Sequence, residues 1–475
     1  MTLHDTIWHE CRTTLLRPAA LVSFTLLICI LIYGACNGRV ERNTRAEAIA
    51  GHEAEVAATM ATWRKQLEII EASGPGPGVP PWAGSPMDVV LASHLPPAPL
   101  ADFAIGQSDL LPYVGAASLW DPDIRLFSRY EFDDPVSLAL GAFDLTKAVI
   151  LVLPLWLIIL SFDALSADRD AGRLGLFFAQ GGHARSLVWL RLSIRAATVW
   201  GLMLAVVCLA LAVPGGTATF VARLPFFSLW VLFVLLYGAF WVALIGFVAS
   251  GNRSSAVNLT LLLLAWAGFT LLLPGTLAAI AEASYPTPSR LAYLADAREI
   301  EIETELAEAS AAGKFVLDHP DMVIDQASQM PAYVRTAFLA TKAVDEATRP
   351  TLLAFEDAAS KRERSLQFMR YLSPAIAVHG VLLDIAGSSA QQHRRYMAAT
   401  RTLKAQYSAR AGRFIVAGRR LPLEEAAALP RLSLPQESAS ALLHRNVDML
   451  TVLGLTTGML ALFANRRLRR LDTPD

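Results

Sequence analysis

Of the chain's 475 residues, 54% are hydrophobic and 17% charged, with a formal net charge of -1 and a mean hydropathy of +0.41. Soluble domains carry about 25% charged residues, so the composition argues against an ordinary water-soluble enzyme, and the near-zero charge leaves no electrostatic footprint for nucleic acid. Its four cysteines, Cys11, Cys29, Cys36 and Cys208, put no pair into either long polar block, which excludes a disulfide framework there.

Segment 1–18 sets Leu3, Ile7, Cys11 and Leu15 on one helical face and Asp5, His9, Glu10 and Arg12 on others, with Trp8 suited to headgroup level. It reads as a cytoplasmic interfacial helix, with a frayed leader as the alternative. An apolar stretch from Ala19 to Cys36 follows. Five more run Phe143–Phe162, Ala196–Val213, Pro225–Ala249, Ala256–Ala281 and Val447–Ala464. Each is close to the roughly 17–25 residues that carry a helix across about 30 Å of hydrocarbon, and lipid tolerates no unpaired backbone amides, so six spanning helices are predicted. Arg12 and Arg17 before the first stretch also suit a secretion signal, and Tyr33-Gly34-Ala35-Cys36 approaches a lipoprotein cleavage box. Tyr33 fits that box poorly and cleavage would leave an odd number of spans, so an uncleaved first helix is expected.

Polar blocks occupy 37–142 and 282–446. In the first, Val56, Met60, Trp63, Leu67 and Ile70 form one helical stripe, with Glu53, Glu55, Arg64, Lys65 and Glu68 on the solvated side. A Pro/Gly run from Gly74 to Pro81 ends that helix, and 74–99 is expected to be irregular. Where the second span enters the membrane, Asp144 and Lys147 lie one turn apart, either as a structural ion pair or as a pathway or helix contact. Pro154 in that span and Pro274-Gly275 in the fifth mark kink sites. In the second block, 291–312, 335–371 with an interruption at Pro350, and 388–411 favour helix through their Ala, Glu, Arg and Leu content.

Arginine placement orients the chain. Arg12, Arg17, Arg169, Arg173, Arg185, Arg191, Arg195, Arg253, Arg466, Arg467, Arg469 and Arg470 fall on one side, while the short connection Pro214–Leu224 on the other holds only Arg223. Both termini, the segment 164–195 and the basic tail 465–475 are therefore expected in the cytoplasm, and the two blocks outside. The fold class expected is an all-α polytopic membrane protein: transmembrane helices at 19–36, 143–163, three within 196–281, and 447–464, with two large, mainly helical extracytoplasmic inserts. No P-loop, HExxH helix or Gly-x-Ser-x-Gly elbow occurs, and Gly313-Lys314-Phe315 lacks both the upstream glycine and the hydroxyl. No catalytic residue, metal ligand or bound cofactor of its own is expected.

After Ser161 the second span runs into Asp168-Arg169-Asp170-Ala171-Gly172-Arg173-Leu174 and then an apolar, basic stretch to Arg195. By residue chemistry this is either a short membrane-surface helix offering charge to a cytoplasmic partner or a solvated loop. The run resembles the signature of type-2 ABC transporter permeases, an acidic-Arg-acidic-x-Gly-Thr-Leu turn ahead of the coupling helix. Asp168 stands where Glu is usual, keeping the charge; Arg173 stands where Thr is usual and brings no hydroxyl acceptor to the turn. Asp134-Pro135, Gly141-Ala142-Phe143-Asp144-Leu145 and Leu153-Pro154-Leu155 resemble the approach to the second span in the branch carrying a domain of unknown function (3526) and two long inserts. Ser373-Pro374-Ala375, Ala386-Gly387 and His393-Arg394 resemble a run in its second insert.

That resemblance implies the permease subunit of an ABC-2-type transporter in a bacterial cell inner membrane. Its partners would be separate cytoplasmic ATPase subunits, which bind the ATP and Mg, and a second permease, identical or not. Asp168, Arg169, Asp170, Gly172, Arg173 and Leu174 would couple to the ATPase, and Trp8, Glu10, Arg12 and Arg17 would form the interfacial elbow. Asp144, Lys147 and Pro154 would lie at a pathway or helix contact. The implied function is export or translocation of a substrate the sequence does not name. The size of the inserts keeps a second reading open, in which ATPase motion is relayed to a periplasmic or outer-membrane partner without solute crossing; an ATP-independent scaffold or receptor is a third.

Overall fold

The computed structural model describes residues 8, 10, 12, 17–74, 80–106, 111–127, 142–212, 216–286, 295, 296, 298–304, 306, 307 and 329–472. Its first helix, α1, runs Pro18–Ser73, and the antiparallel strands β1 (Val90–His94) and β2 (Val114–Ser118) follow. Next come α2 (Leu145–Asp170, loosened into turns at 162–165), α3 (Leu174–Ala179), α4 (Ala184–Ala212), α5 (Gly216–Ala249) and α6 (Ser255–Ser284). The remainder comprises α7 (Ala332–Met369), α8 (Pro374–Ala386), α9 (Ala390–Val416), α10 (Leu423–Ala427), α11 (Ala439–Arg445) and α12 (Val447–Asp472). Helices α1, α2, α4, α5, α6 and α12 are long and apolar enough to cross a membrane, as a multi-pass membrane protein requires.

Helix α5 is the axis of the bundle. Its Trp230, Phe233, Tyr237 and Trp241 are fully buried, against α2, α4, α8 and α12. The thirteen-residue α8 is too short to span, yet Ala375, Val378, Val381, Leu382 and Ile385 share one apolar core with α5. Part of the second polar block thus re-enters the bundle, which its position in the sequence does not suggest.

The expected kink sites are accommodated by widened turns. Proline has no N–H and its ring collides with the carbonyl four residues earlier, and an inserted residue relieves the collision. Segment Ala148–Val152 before Pro154 and segment Gly268–Leu272 before Pro274 are both π-helical. Carbonyls near them accept bonds from side chains: the Tyr237 hydroxyl donates to Ile150 O at 2.9 Å, Trp266 Nε1 to Leu151 O at 3.0 Å, and Ser373 Oγ to Phe269 O at 2.7 Å. Water cannot perform this task in hydrocarbon, so the neighbouring helices do.

Several sequence expectations change. Helix α1 does not stop near Cys36; its 56 residues extend about 84 Å at 1.5 Å per residue. Its stripe packs as expected, with Val56, Trp63, Leu67 and Ile70 buried. Trp63 and Leu67 share a core with Met87, Val89 and Leu91 of the first block and with Phe338, Tyr396 and Tyr407 of the second, so the two blocks fold as one body. Buried aromatic tips are satisfied across it: Trp63 Nε1 donates to Ser85 O at 2.8 Å and the Tyr407 hydroxyl to Pro86 O at 2.6 Å. The segment 74–99, expected to be irregular, contains β1, whose pairing with distant β2 has no local signature. Helix α7 passes unbroken through Pro350, because Glu346 and Pro350 are exposed and water can serve the freed carbonyl. Arg223, expected in a connecting loop, is a helical residue of α5, and Arg185, Arg191 and Arg195 already belong to α4. Residues Leu3, Asp5, Ile7, His9, Cys11 and Leu15, the pair Asp134-Pro135, Gly141, and much of 291–312 lie outside the described residues.

A buried latch fastens the insert to the bundle. Arg223 Nη2 donates to both Asp102 oxygens, at 2.5 and 2.7 Å, and Arg223 Nε donates to Pro99 O at 2.7 Å. Gly38 on α1 makes this approach possible: a Cβ there would sit 2.1 Å from Asp102 O, and one at Gly34, a turn earlier, 3.0 Å from the Asp144 backbone.

Candidate functional site

At the arginine-rich end of the bundle, α2 loosens after Ser161 and ends in the helical turn Ser166–Asp170. Gly172 then adopts φ +69°, in the left-handed region that side chains resist. Its N–H donates to Arg169 O at 2.9 Å and that of Arg173 to Asp168 O at 2.8 Å, the two backbone bonds of a Schellman cap. The turn is therefore closed by backbone alone and needs no hydroxyl where Arg173 replaces threonine. Arg173 instead turns its side chain back onto Asp168 Oδ1, with bonds of 3.0 and 2.8 Å.

The two acids of the motif have different neighbours. Asp168 Oδ2 meets Arg191 Nη1 at 2.7 Å. Asp170 Oδ2 accepts from Ser255 Oγ at 2.8 Å and from Ser255 N at 3.2 Å, serving the start of α6. Between them, Arg169 Nη1 donates to Asn252 Oδ1 at 2.6 Å. One six-residue turn thus touches α4 through Asp168, the α5–α6 connection through Arg169 and the start of α6 through Asp170.

Glu10 extends the network to the N-terminal segment. Its Oε1 accepts from Arg195 Nε and Nη2 at 2.9 and 2.7 Å, and its Oε2 lies 3.2 Å from Arg191 Nε. Arg195 Nη1 also donates to Asp163 Oδ1 at 2.9 Å and Leu160 O at 2.6 Å. Glu10 and Arg195 are 6% and 5% exposed, which makes this a desolvated clamp in which charges must be paired. Trp8, Arg12 and Arg17, grouped with Glu10 in the sequence, are exposed.

Beyond this network, α3 stands out from the bundle. Leu174, Phe177 and Phe178 pack partly on the core while Leu176 is 66% exposed. The motif turn therefore leads into a short apolar helix with a free face.

Asp144, Lys147 and Pro154 lie elsewhere, at and within the insert-side half of α2. Asp144 is fully buried as its N-cap: Oδ1 accepts from Lys147 N at 2.7 Å and Oδ2 from Ile105 N at 2.9 Å. The Lys147 ammonium donates to Ala142 O at 2.7 Å. The structure brings together the motif acids and Glu10 but keeps Asp144 and Lys147 apart from them. Sequence reading missed Asp163, Asn252 and Ser255 as partners. The one available signal was Arg195 at the edge of an apolar stretch, since a cation there calls for a carboxylate.

Residues 290–433 match the family model of a domain of unknown function (DUF3526). This region contains α7, α8, α9 and α10. No curated protein and no solved structure matches the chain.

Proposed function

We propose that this chain is the membrane-spanning permease subunit of an ABC-2-type transporter. The arginine-rich end would face the cytoplasm of a bacterial cell and the insert body the opposite side of the inner membrane. Separate ATPase subunits would bind ATP and Mg, and a second permease, identical or different, would complete the complex. The observation that carries this reading is the turn Asp168–Arg173: it is continuous with α2, tied to α4 and α6, and leads into α3 with Leu176 free. A push on α3 would reach three spans through short charged contacts, whereas a solvated loop would dissipate it. A mild-detergent pull-down tests the proposal, with an ATPase expected to co-purify with the wild-type chain and less with Asp168→Ala/Asp170→Ala. No ATPase, or identical recovery from both, would count against it.

A second reading has its own support. Helix α1 runs without a break from beside the motif network to the core of the insert body, where Trp63 and Leu67 are buried. A rod of that kind suits a mechanical relay to a periplasmic or outer-membrane partner, with no solute crossing. Reconstituted vesicles separate the readings: ATP-dependent solute movement favours transport, and ATP-dependent change confined to the insert favours relay.

A further inference from the structure

We propose that the cavity beside Glu10, between α1, α2 and α4, holds the headgroup of one anionic glycerophospholipid. The cavity is about 600 Å³. One wall is apolar, formed by Ala19 and Ala20 at the start of α1 and by Ile159 on α2, which is 50% exposed. It lies where the apolar spans begin, so an amphiphile can enter from the bilayer with its chains along α1 and α2.

The opposite wall is charged, and its arithmetic points to an anion. Arg173, Arg191 and Arg195 are matched by Asp168, Glu10 and Asp163 through the contacts described above. Arg17 also lines the cavity, and among the described residues no acidic side chain pairs with it. Counted over the described residues, the site therefore carries one surplus positive charge on a fork-shaped donor that suits a phosphate. The amide end of α1 adds to this field, since its first turn has neither an acidic residue nor a side-chain cap. An anionic headgroup with an acyl tail satisfies both walls at once; a soluble phosphate would leave the apolar wall uncovered. The inference needs only the membrane-spanning bundle and stands apart from the permease reading.

Native mass spectrometry of the full-length protein, released from nanodiscs of phosphatidylcholine alone or mixed with phosphatidylglycerol, tests it. Phosphatidylglycerol should be retained in preference to phosphatidylcholine, and Arg17→Glu should lower its retention about fivefold or more, the factor one basic residue near an anionic surface is worth. Arg466→Glu, an exposed change at the same end, should leave retention as it is. Ile159→Trp, which fills the apolar wall, should abolish retention and serves if Arg17→Glu fails to fold. Equal retention of both lipids, or unaltered retention in Arg17→Glu or Ile159→Trp, would overturn the proposal. Displacement of the lipid by soluble glycerol phosphate would also overturn it, reassigning the site to a free phosphate.

Discussion

Glu10 and Arg195 stand 185 positions apart in the chain and meet through two hydrogen bonds of 2.9 and 2.7 Å. They close the N-terminal segment onto α4 at the end of the bundle where the Asp168 turn sits. Removing one partner strips the other of two short charged bonds but leaves it a second ion pair, Asp163 for Arg195 and Arg191 for Glu10, so the loss should stay below the roughly 3–5 kcal/mol of a wholly uncompensated buried charge. Glu10→Ala and Arg195→Met are each expected to lower the unfolding temperature in detergent. The double variant should lose less than the sum, because neither charge is then stranded; strict additivity would show that the pair does not interact.

Gly38 allows α1 to touch the Asp102 loop. A methyl group there meets backbone rather than a yielding side chain, so Gly38→Ala should destabilise by about 1–3 kcal/mol through overpacking. Gly454 on α12 has nothing within 4 Å of the position a Cβ would take, and Gly454→Ala should be near neutral. Thermal unfolding of the two variants side by side gives the comparison, and equal losses would contradict the close approach.

Tyr237 completes the π segment of α2 by donating to Ile150 O. Tyr237→Phe keeps the ring and strands a buried carbonyl, at a cost of about 1–3 kcal/mol. Hydrogen exchange should quicken around 148–154 in the variant. Exchange unchanged there would mean that the carbonyl finds another donor.

His393 is 1% exposed, and burial holds its imidazole down at about 4, with Arg45 acting in the same direction and the Ser389 carbonyl opposing. The unfolded chain therefore takes up this proton first, near the ordinary value of 6.5. The stability tied to the neutral ring is complete above that value and declines as pH falls toward 4, by at most about 3 kcal/mol. His393→Gln should flatten the pH dependence of unfolding within this window. Parallel curves for wild type and variant would refute the assignment.

Hydropathy alone revealed the six spans, because bilayer thickness sets the length of apolar chain a helix must supply. The stripe from Val56 to Ile70 was legible for a similar reason: helical periodicity is local. The Schellman turn at Gly172 was foreshadowed by its glycine, since only a residue without Cβ takes φ +69° cheaply.

Partnerships were another matter. Nothing near Glu10 announces Arg195, nothing near Asp102 announces Arg223, and α8 reads as part of a polar block although it packs against α5. The merging of the two blocks into one core around Trp63 was equally hidden. Periodicity and composition act over a few turns of chain and so determined the elements and their membrane character by themselves. Which buried charge meets which, and which apolar faces share a core, depends on bringing residues hundreds of positions apart within van der Waals reach. Only the tertiary structure decided that.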